Sequence, residues 1–180
     1  MTFAEPSEVA ELLERLMTSD WPTSELERVH WFGRHGLEAE GAEVDMGEHE
    51  LPGRRVYGPA SQNADSPGWH TFRNEFVGLV WFLWSGKDGW VRQLATELRT
   101  ELDSRLVSLD SEDDPDGGFN ARWIRDECRI DCYLHATRDF GALGTSPAVV
   151  QLHLDHAERA DALEAEARRV AVLRSRPFKR

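Results

Sequence analysis

Two predicted β-strands in the C-terminal half of the chain carry the side chains best suited to chemistry. Asp131, Tyr133 and His135 alternate along the first strand, and His153 lies on the second. Alternate residues of a strand share a face, so a compatible register would gather two imidazoles, a phenol and a carboxylate on one surface. An imidazole beside a carboxylate is a general acid–base pair, and the same set can hold a divalent metal. An ordinary solvent-facing or partner-facing sheet displays the same residue types, so three interpretations stay open.

Catalysis at this face requires a cavity, because histidines on an open sheet have no means of positioning a substrate. The one segment long enough to act as a lid spans residues 38–70 and contains His49 and His70. We expect His135 and His153 to point away from each other. That expectation favours a binding protein over an enzyme.

Known cofactor and metal motifs do not occur in the sequence. There is no Gly-rich phosphate loop, no Gly-x-Ser-x-Gly elbow and no His-Glu-x-x-His. Cys128 and Cys132 are expected to be reduced core thiols on one face of a strand. The acidic stretch 110–117 departs from a calcium loop, because Pro115 and the order of the acids break the EF-hand pattern. We therefore predict no cofactor and no metal.

An apolar run provides the frame that must position these side chains. Val77–Trp84 contains eight consecutive apolar residues, which suits a strand in the middle of a sheet covered on both faces. The run also fits a helical stripe, but its aromatic content and the bounding Gly68 and Gly86 favour a strand. Residues 88–109 carry leucines at every fourth position and predict a long amphipathic helix that packs on the sheet.

Helices are also predicted at both ends of the chain. Ser7 is expected to cap the first helix, and Trp21 fills the corner of an N-terminal αα-hairpin. Asp155 is expected to cap a C-terminal helix, with Glu158 completing a capping box.

The predicted fold class is therefore α+β, in a single domain over residues 1–172. Its sheet has four to five strands and is mainly antiparallel, and the long amphipathic helix covers it. Residues 38–70 form a long, partly ordered loop region, and residues 173–180 form a basic tail.

The charge distribution indicates the class of partner. The chain carries a net charge of −12, and residues 167–180 hold six basic and no acidic groups, so −18 remains on residues 1–166. An acidic body argues against nucleic acid as the main ligand and favours a basic protein partner, although it also serves solubility. The N-terminal residues have no basic or apolar signal region, and the longest apolar run is too short for a membrane. We expect a cytoplasmic protein without a membrane partner.

Seven tryptophans exceed what one small core usually requires. Tryptophan at the end of an element often fills a core gap, and it is also enriched at interface hot spots. Together with the acidic loop, this composition predicts a partner-binding surface formed by Trp31, Trp69, Trp84, Asp113, Asp114 and Asp116.

Three short motifs carry a resemblance: Asp20-Trp21-Pro22, Arg122-Trp123 and Ala148-Val149-Val150 before a terminal Ala/Glu/Arg helix. In these the chain resembles small uncharacterised actinobacterial α+β proteins regarded as immunity-like partners of polymorphic toxins. The resemblance implies neutralisation of a toxin by protein binding and brings no catalytic residue. The expected function is a non-enzymatic inhibitor of a basic protein, such as a nuclease toxin. The alternative is a small enzyme or ligand-binding domain that uses the Tyr/His/Asp face.

Overall fold

The structure, a computed structural model, describes residues 5–44, 53–57, 68–139, 141 and 144–174. In chain order its helices and strands are α1 (Pro6–Met17), α2 (Glu25–Arg34), β1 (Glu38–Val44), β2 (Gly53–Tyr57), β3 (Gly68–Phe72), β4 (Glu75–Gly86), α3 (Asp88–Arg105), β5 (Val107–Asp113), β6 (Phe119–Arg125), β7 (Cys128–His135), β8 (Arg138–Asp139), β9 (Thr145–Ser146), β10 (Ala148–His156) and α4 (Ala157–Arg174).

Parts of two predicted regions lie outside the described residues. In the predicted loop region these are residues 45–52, which include His49, and residues 58–67. Most of the predicted basic tail, residues 175–180, lies outside as well. The single-domain boundary at residue 172 therefore stays a prediction.

The described strands form an eight-stranded antiparallel sheet in the order β1-β2-β3-β4-β10-β7-β6-β5, with β8 and β9 as a separate pair. The predicted α+β class is confirmed. The sheet is wider than the four to five strands expected. Strands β1 and β2 fall in the predicted loop region, and β5 falls where the long helix was expected to end.

Strand β4 lies in the middle of the sheet, between β3 and β10. Val77, Leu79, Trp81 and Leu83 are all buried. The helical alternative for this apolar run is wrong. Helix α3 packs over the face that carries these four side chains, whereas Val80 and Phe82 on the other face are half-buried, so the expected cover of both faces is incomplete.

Helix α3 covers the sheet with one buried stripe, formed by Val91, Ala95, Leu98 and Leu102. The helix ends at Arg105, four residues before the predicted end at residue 109. Leu106 is already extended, and the chain turns back as β5 to pair with β6. Pairing with a neighbouring strand thus overrides a local leucine pattern that would have continued the helix.

The corner between α1 and α2 is closed by Trp21, as expected. Its indole N–H donates to the carbonyl of Phe76 at 3.2 Å, and its ring stacks on the Phe76 ring at 5.0 Å. The predicted cap of α1 is wrong. Glu5 is the N-cap in place of Ser7, and it forms a capping box with Glu8.

The predicted cap of the C-terminal helix is also wrong, because β10 continues through Asp155 to His156. Helix α4 begins at Ala157, whose N–H donates to the Glu127 carbonyl at 2.8 Å. Asp155 is therefore a buried strand residue. Among the described helices, none is long and apolar enough to cross a membrane.

Candidate functional site

The face of the sheet opposite the core carries a cluster of polar side chains. Strands β7 and β10 are neighbours, and their register pairs Gln151 with Tyr133 and His153 with Asp131. Strand alternation places the partners of these pairs on the same side. We call this surface the polar face; its members are Arg122, Arg129, Asp131, Tyr133, His135, Gln151, His153 and Asp155.

The two histidines of the polar face are joined through one glutamine. His135 Nε2–H donates to Gln151 Oε1 at 2.8 Å, and Gln151 Nε2 donates to His153 Nε2 at 2.7 Å. The expectation that the histidines diverge is wrong. In this arrangement neutral His153 carries its proton on Nδ1, while His135 carries its proton on Nε2. Tyr133 lies against both rings, with centroids at 6.2 Å from His135 and 5.8 Å from His153.

Asp131, the predicted acid–base carboxylate, is held by two arginines. Arg122 Nε lies 2.5 Å from one carboxylate oxygen, and Arg129 Nε lies 3.1 Å from the other. Arg129 extends the network to α4 by donating to Asp161 and Glu164. Both oxygens of the Asp131 carboxylate are therefore engaged in ion pairs within the fold.

A second carboxyl group is enclosed at the inner end of the polar face. Asp155 is 5% exposed, and its Oδ1 lies 3.8 Å from His70 Nε2. Burial raises the pKa of Asp155 to about 8 and lowers the pKa of His70 to about 4, so both groups are neutral near pH 7. The side chain of Asp155 occupies the space above Gly78, where a Cβ atom would overlap its Oδ1.

His70 was expected to belong to a lid and lies instead in strand β3, paired with Gly78 of β4. Burial lowers the pKa of His153 and raises the pKa of Tyr133. Near neutral pH His153 is therefore an uncharged ring, and Tyr133 is a protonated phenol. The polar face can bind or orient a polar group, and a cavity at its border lies to the side of the histidines.

That cavity opens between the polar face and strand β5 and has a volume of about 180 Å³. It is lined by Asp110, Glu112, Asn120, Ala121, Arg122, Asp131 and Tyr133. Neither His135 nor His153 lines it. Its lining carries three carboxylates and one guanidinium, so it suits a cationic group better than an anion.

Strand β5 forms the outer side of the cavity and is exposed along its whole length. Residues 107–118 contain five acidic and no basic residues. We call Asp110, Glu112, Asp113, Asp114 and Asp116, all exposed, the acidic edge. Asp113, Asp114 and Asp116 were predicted as partner-binding residues, and the structure gathers them with Asp110 and Glu112 at one border of the sheet.

Helix α3 holds the acidic edge in position. Arg99 donates to Ser111 Oγ at 2.6 Å and lies 3.3 Å from Asp113. Arg92 pairs with Asp88 and donates to the carbonyl of Gly117 in the β5–β6 turn. Gly117 adopts φ +84°, a left-handed conformation that favours glycine.

The predicted partner-binding tryptophans are buried, so that prediction is wrong. Trp31, Trp69 and Trp84 are 0%, 3% and 4% exposed. Trp31 packs against Trp21 and Phe76, and the Arg28 guanidinium lies 3.5 Å from the Trp69 ring. These indoles fill gaps at the ends of elements, which was the alternative explanation for their number.

Arg122 and Arg129 were not among the predicted site residues, although Arg129 lies two residues before Asp131 on the same strand and therefore on the same face. Arg122 joins them because strand β6 lies beside β7. The pairing of His70 with Gly78 depends on strand β3, whose first residues were assigned to the loop region 38–70.

Within the described ranges, no group of three His, Cys, Asp or Glu side chains is arranged to hold a metal ion. Cys128 and Cys132 are free and buried, and burial raises the pKa of each thiol to about 12. Comparison of the chain with known protein families, with curated proteins and with solved structures finds no match in any of the three.

Proposed function

We propose that the chain is a non-enzymatic, immunity-like inhibitor that binds a basic protein partner in the cytoplasm. The observation that carries this proposal is the acidic edge, where five carboxylates lie exposed at one border of the sheet. Surface charge of one sign speeds association with a partner of the opposite sign and disfavours partners of like charge.

The fixed position of these carboxylates supports the same conclusion. Arg92 and Arg99 of α3 hold the turn and the strand by their side chains. A surface ordered before binding loses less conformational freedom when the partner docks. Asp110 and Glu112 form no ion pair within the described part of the chain, so their charges are available to a partner.

The test is a paired capture from the native host. One bait is the wild-type chain, and the other carries Asp110→Asn, Glu112→Gln, Asp113→Asn, Asp114→Asn and Asp116→Asn. We expect the wild type to retain a basic protein that the neutralised bait releases. The captured protein is then purified, and its affinity for both chains is measured by calorimetry at low and high salt.

A functional assay completes this test. Co-expression of the wild-type chain should restore growth to cells that produce the captured protein, and the neutralised chain should not. Equal affinity of both chains for the captured protein, without salt dependence, would overturn the proposal. A set of captured proteins that are all acidic would also overturn it.

A second function, a ligand-binding or catalytic domain, is supported by the hydrogen bonds that join His135, Gln151 and His153. Its test uses the single variants His135→Ala and His153→Ala. In each variant, ligand binding is followed by the NMR chemical shifts of the histidine ring that remains. Loss of a ligand response at an unchanged melting temperature would support it. A large drop in melting temperature would instead identify both rings as structural.

A further inference from the structure

We propose that the basic partner docks by adding an extended strand to the free border of β5, with a cationic side chain entering the cavity beside Tyr133. This inference rests on the proposed function and specifies its binding mode. The unpaired border of β5 is an observation independent of the charge of this strand. In the described part of the chain, β6 is the one strand that pairs with β5, and β5 ends the sheet.

The hydrogen-bonding pattern of the β5–β6 hairpin identifies the backbone groups that face outward. Asp114 N–H donates to the Gly118 carbonyl, which makes these two residues a hydrogen-bonded pair. Hydrogen-bonded and non-hydrogen-bonded pairs alternate along an antiparallel ladder. Glu112 and Asp110 therefore direct their backbone groups toward β6, and Ser111 and Asp113 direct theirs away from the sheet.

The regular part of this border is short. The register shifts between Ser108 and Asp110, so a bulge at Leu109 interrupts the strand. Bulges limit pairing along an edge. The docking segment is accordingly Asp110–Asp113, and a partner strand pairs with the outward groups of Ser111 and Asp113.

Charge complementarity determines the occupant. Two copies of this chain paired through β5 would bring Asp110, Glu112 and Asp113 against their own counterparts, and like charges directly opposite are destabilising. A strand that presents lysine or arginine meets the same carboxylates as opposite charges. Side chains opposite one another on neighbouring strands lie about 5 Å apart, which is within reach of an arginine.

The cavity supplies a place for one such side chain. Asp110 and Glu112 line its outer wall, and Asn120 and Tyr133 add neutral acceptors. Arg122 is already paired with Asp131, so it does not neutralise the outer carboxylates. A guanidinium fits this set best, because its planar donors match a carboxylate and its face stacks on an aromatic ring.

The experiment uses the full chain and a fluorescently labelled, blocked peptide of alternating arginine and threonine. Ser111→Pro removes an outward N–H and leaves the groups that pair with β6. Ser111→Ala is the matched control, because it keeps the N–H and loses the same contact with Arg99. We expect the peptide to bind the wild type and Ser111→Ala alike, and to bind Ser111→Pro about tenfold more weakly.

A second peptide with N-methylated backbone amides keeps the charge and cannot extend a sheet. It should bind the wild type about tenfold more weakly than the first peptide. If Ser111→Pro does not fold, amide hydrogen exchange in the wild type provides the test. Exchange at Ser111 and Asp113 should slow when the first peptide binds.

The outcomes separate the two proposals. Equal binding of Ser111→Pro and Ser111→Ala, equal binding of both peptides, or unchanged exchange at Ser111 overturns strand addition and leaves an acidic docking surface intact. No binding of the first peptide to the wild type also overturns it. Full peptide affinity in Asp110→Asn/Glu112→Gln/Asp113→Asn would overturn the acidic surface itself, and with it the proposed function.

Discussion

Two charged regions of one sheet, the polar face on β7 and β10 and the acidic edge on β5, differ in how their charges are partnered. On the polar face, Asp131 has two arginines, and Arg129 has three carboxylates. On the acidic edge the carboxylates are exposed, and Asp113 has one arginine at the surface. The charged groups of the polar face thus pair with one another within the fold, whereas the carboxylates of the acidic edge stay exposed to water or to a partner.

This difference follows from burial. Arg129 and Asp131 are almost fully enclosed, so each would lose several kcal/mol of hydration if left unpaired. A carboxylate on β5 keeps its hydration and needs no partner to be stable. Substitutions in the two regions should therefore affect different properties: folding stability at the polar face and association at the acidic edge.

The largest effect is expected for Arg129→Ala. This change leaves Asp131 partly unpaired in a buried site and should reduce the free energy of unfolding by about 3 kcal/mol. Arg122→Ala is the matched control, because Arg122 pairs with the same carboxylate while its side chain is 39% exposed, against 8% for Arg129. We expect it to cost about 1 kcal/mol or less, measured by urea unfolding. Equal costs would contradict the role assigned to burial.

Gly78→Ala should come next, with a loss of about 2 kcal/mol. The new methyl group would overlap Asp155 Oδ1 and approach the Leu154 carbonyl. Gly89→Ala is the control, because a Cβ there meets no atom within contact distance. Adding Asp155→Ala should recover part of the loss by removing the carboxyl group, and thermal melts of the single and double variants measure that recovery.

The pH dependence of stability should show the neutral Asp155–His70 pair. The raised pKa of Asp155, from 3.8 to about 8, means that the folded state retains a proton the unfolded state releases, so stability falls as pH rises toward 8. The lowered pKa of His70, from 6.5 to about 4, acts in the opposite direction below pH 6.5. Between about pH 6.5 and 8 only the Asp155 effect remains.

We expect the wild type to lose up to about 2 kcal/mol across that interval. Asp155→Asn keeps the shape of the side chain without the titrating proton, so it should remove most of this slope. Urea unfolding at both ends of the interval provides the measurement. A slope retained in the variant would assign it to other groups.

The smallest stability effect is expected at the acidic edge. Asp110→Asn and Glu112→Gln together should change the free energy of unfolding by less than about 0.5 kcal/mol, because neither carboxylate forms an ion pair with the described residues. Thermal melts in low salt measure this change. A loss comparable to that of Arg129→Ala would mean that the carboxylates serve the fold and not a partner.

Strands with a clear local pattern could be predicted from the sequence. Val77–Trp84 is apolar on both sides and rich in aromatic residues, and Cys128, Ile130, Cys132 and Leu134 alternate with polar residues, so each segment carries a local signal for a strand. Strand β5 has no such pattern, since all its residues are exposed. This segment is extended because it pairs with β6, and that pairing cannot be predicted from the residues of β5 themselves.

The candidate sites follow the same rule. The shared face of Asp131, Tyr133 and His135 is a property of one strand and was predicted. The glutamine bridge between the histidines depends on β10 lying beside β7 in one register, because a shift of one residue would turn His153 to the core. The tryptophans were wrongly predicted as interface residues, because neither their number nor their position in an element determines how deeply they are buried.

The burial of the tryptophans has an optical consequence. Six indoles, those of Trp21, Trp31, Trp69, Trp81, Trp84 and Trp123, are shielded from water, and Trp90 alone is exposed, at 37%. Native emission should therefore be blue-shifted and nearly insensitive to a soluble quencher. A partner docking at β5 touches none of the six, so intrinsic fluorescence will report unfolding faithfully and remain almost silent when the complex forms.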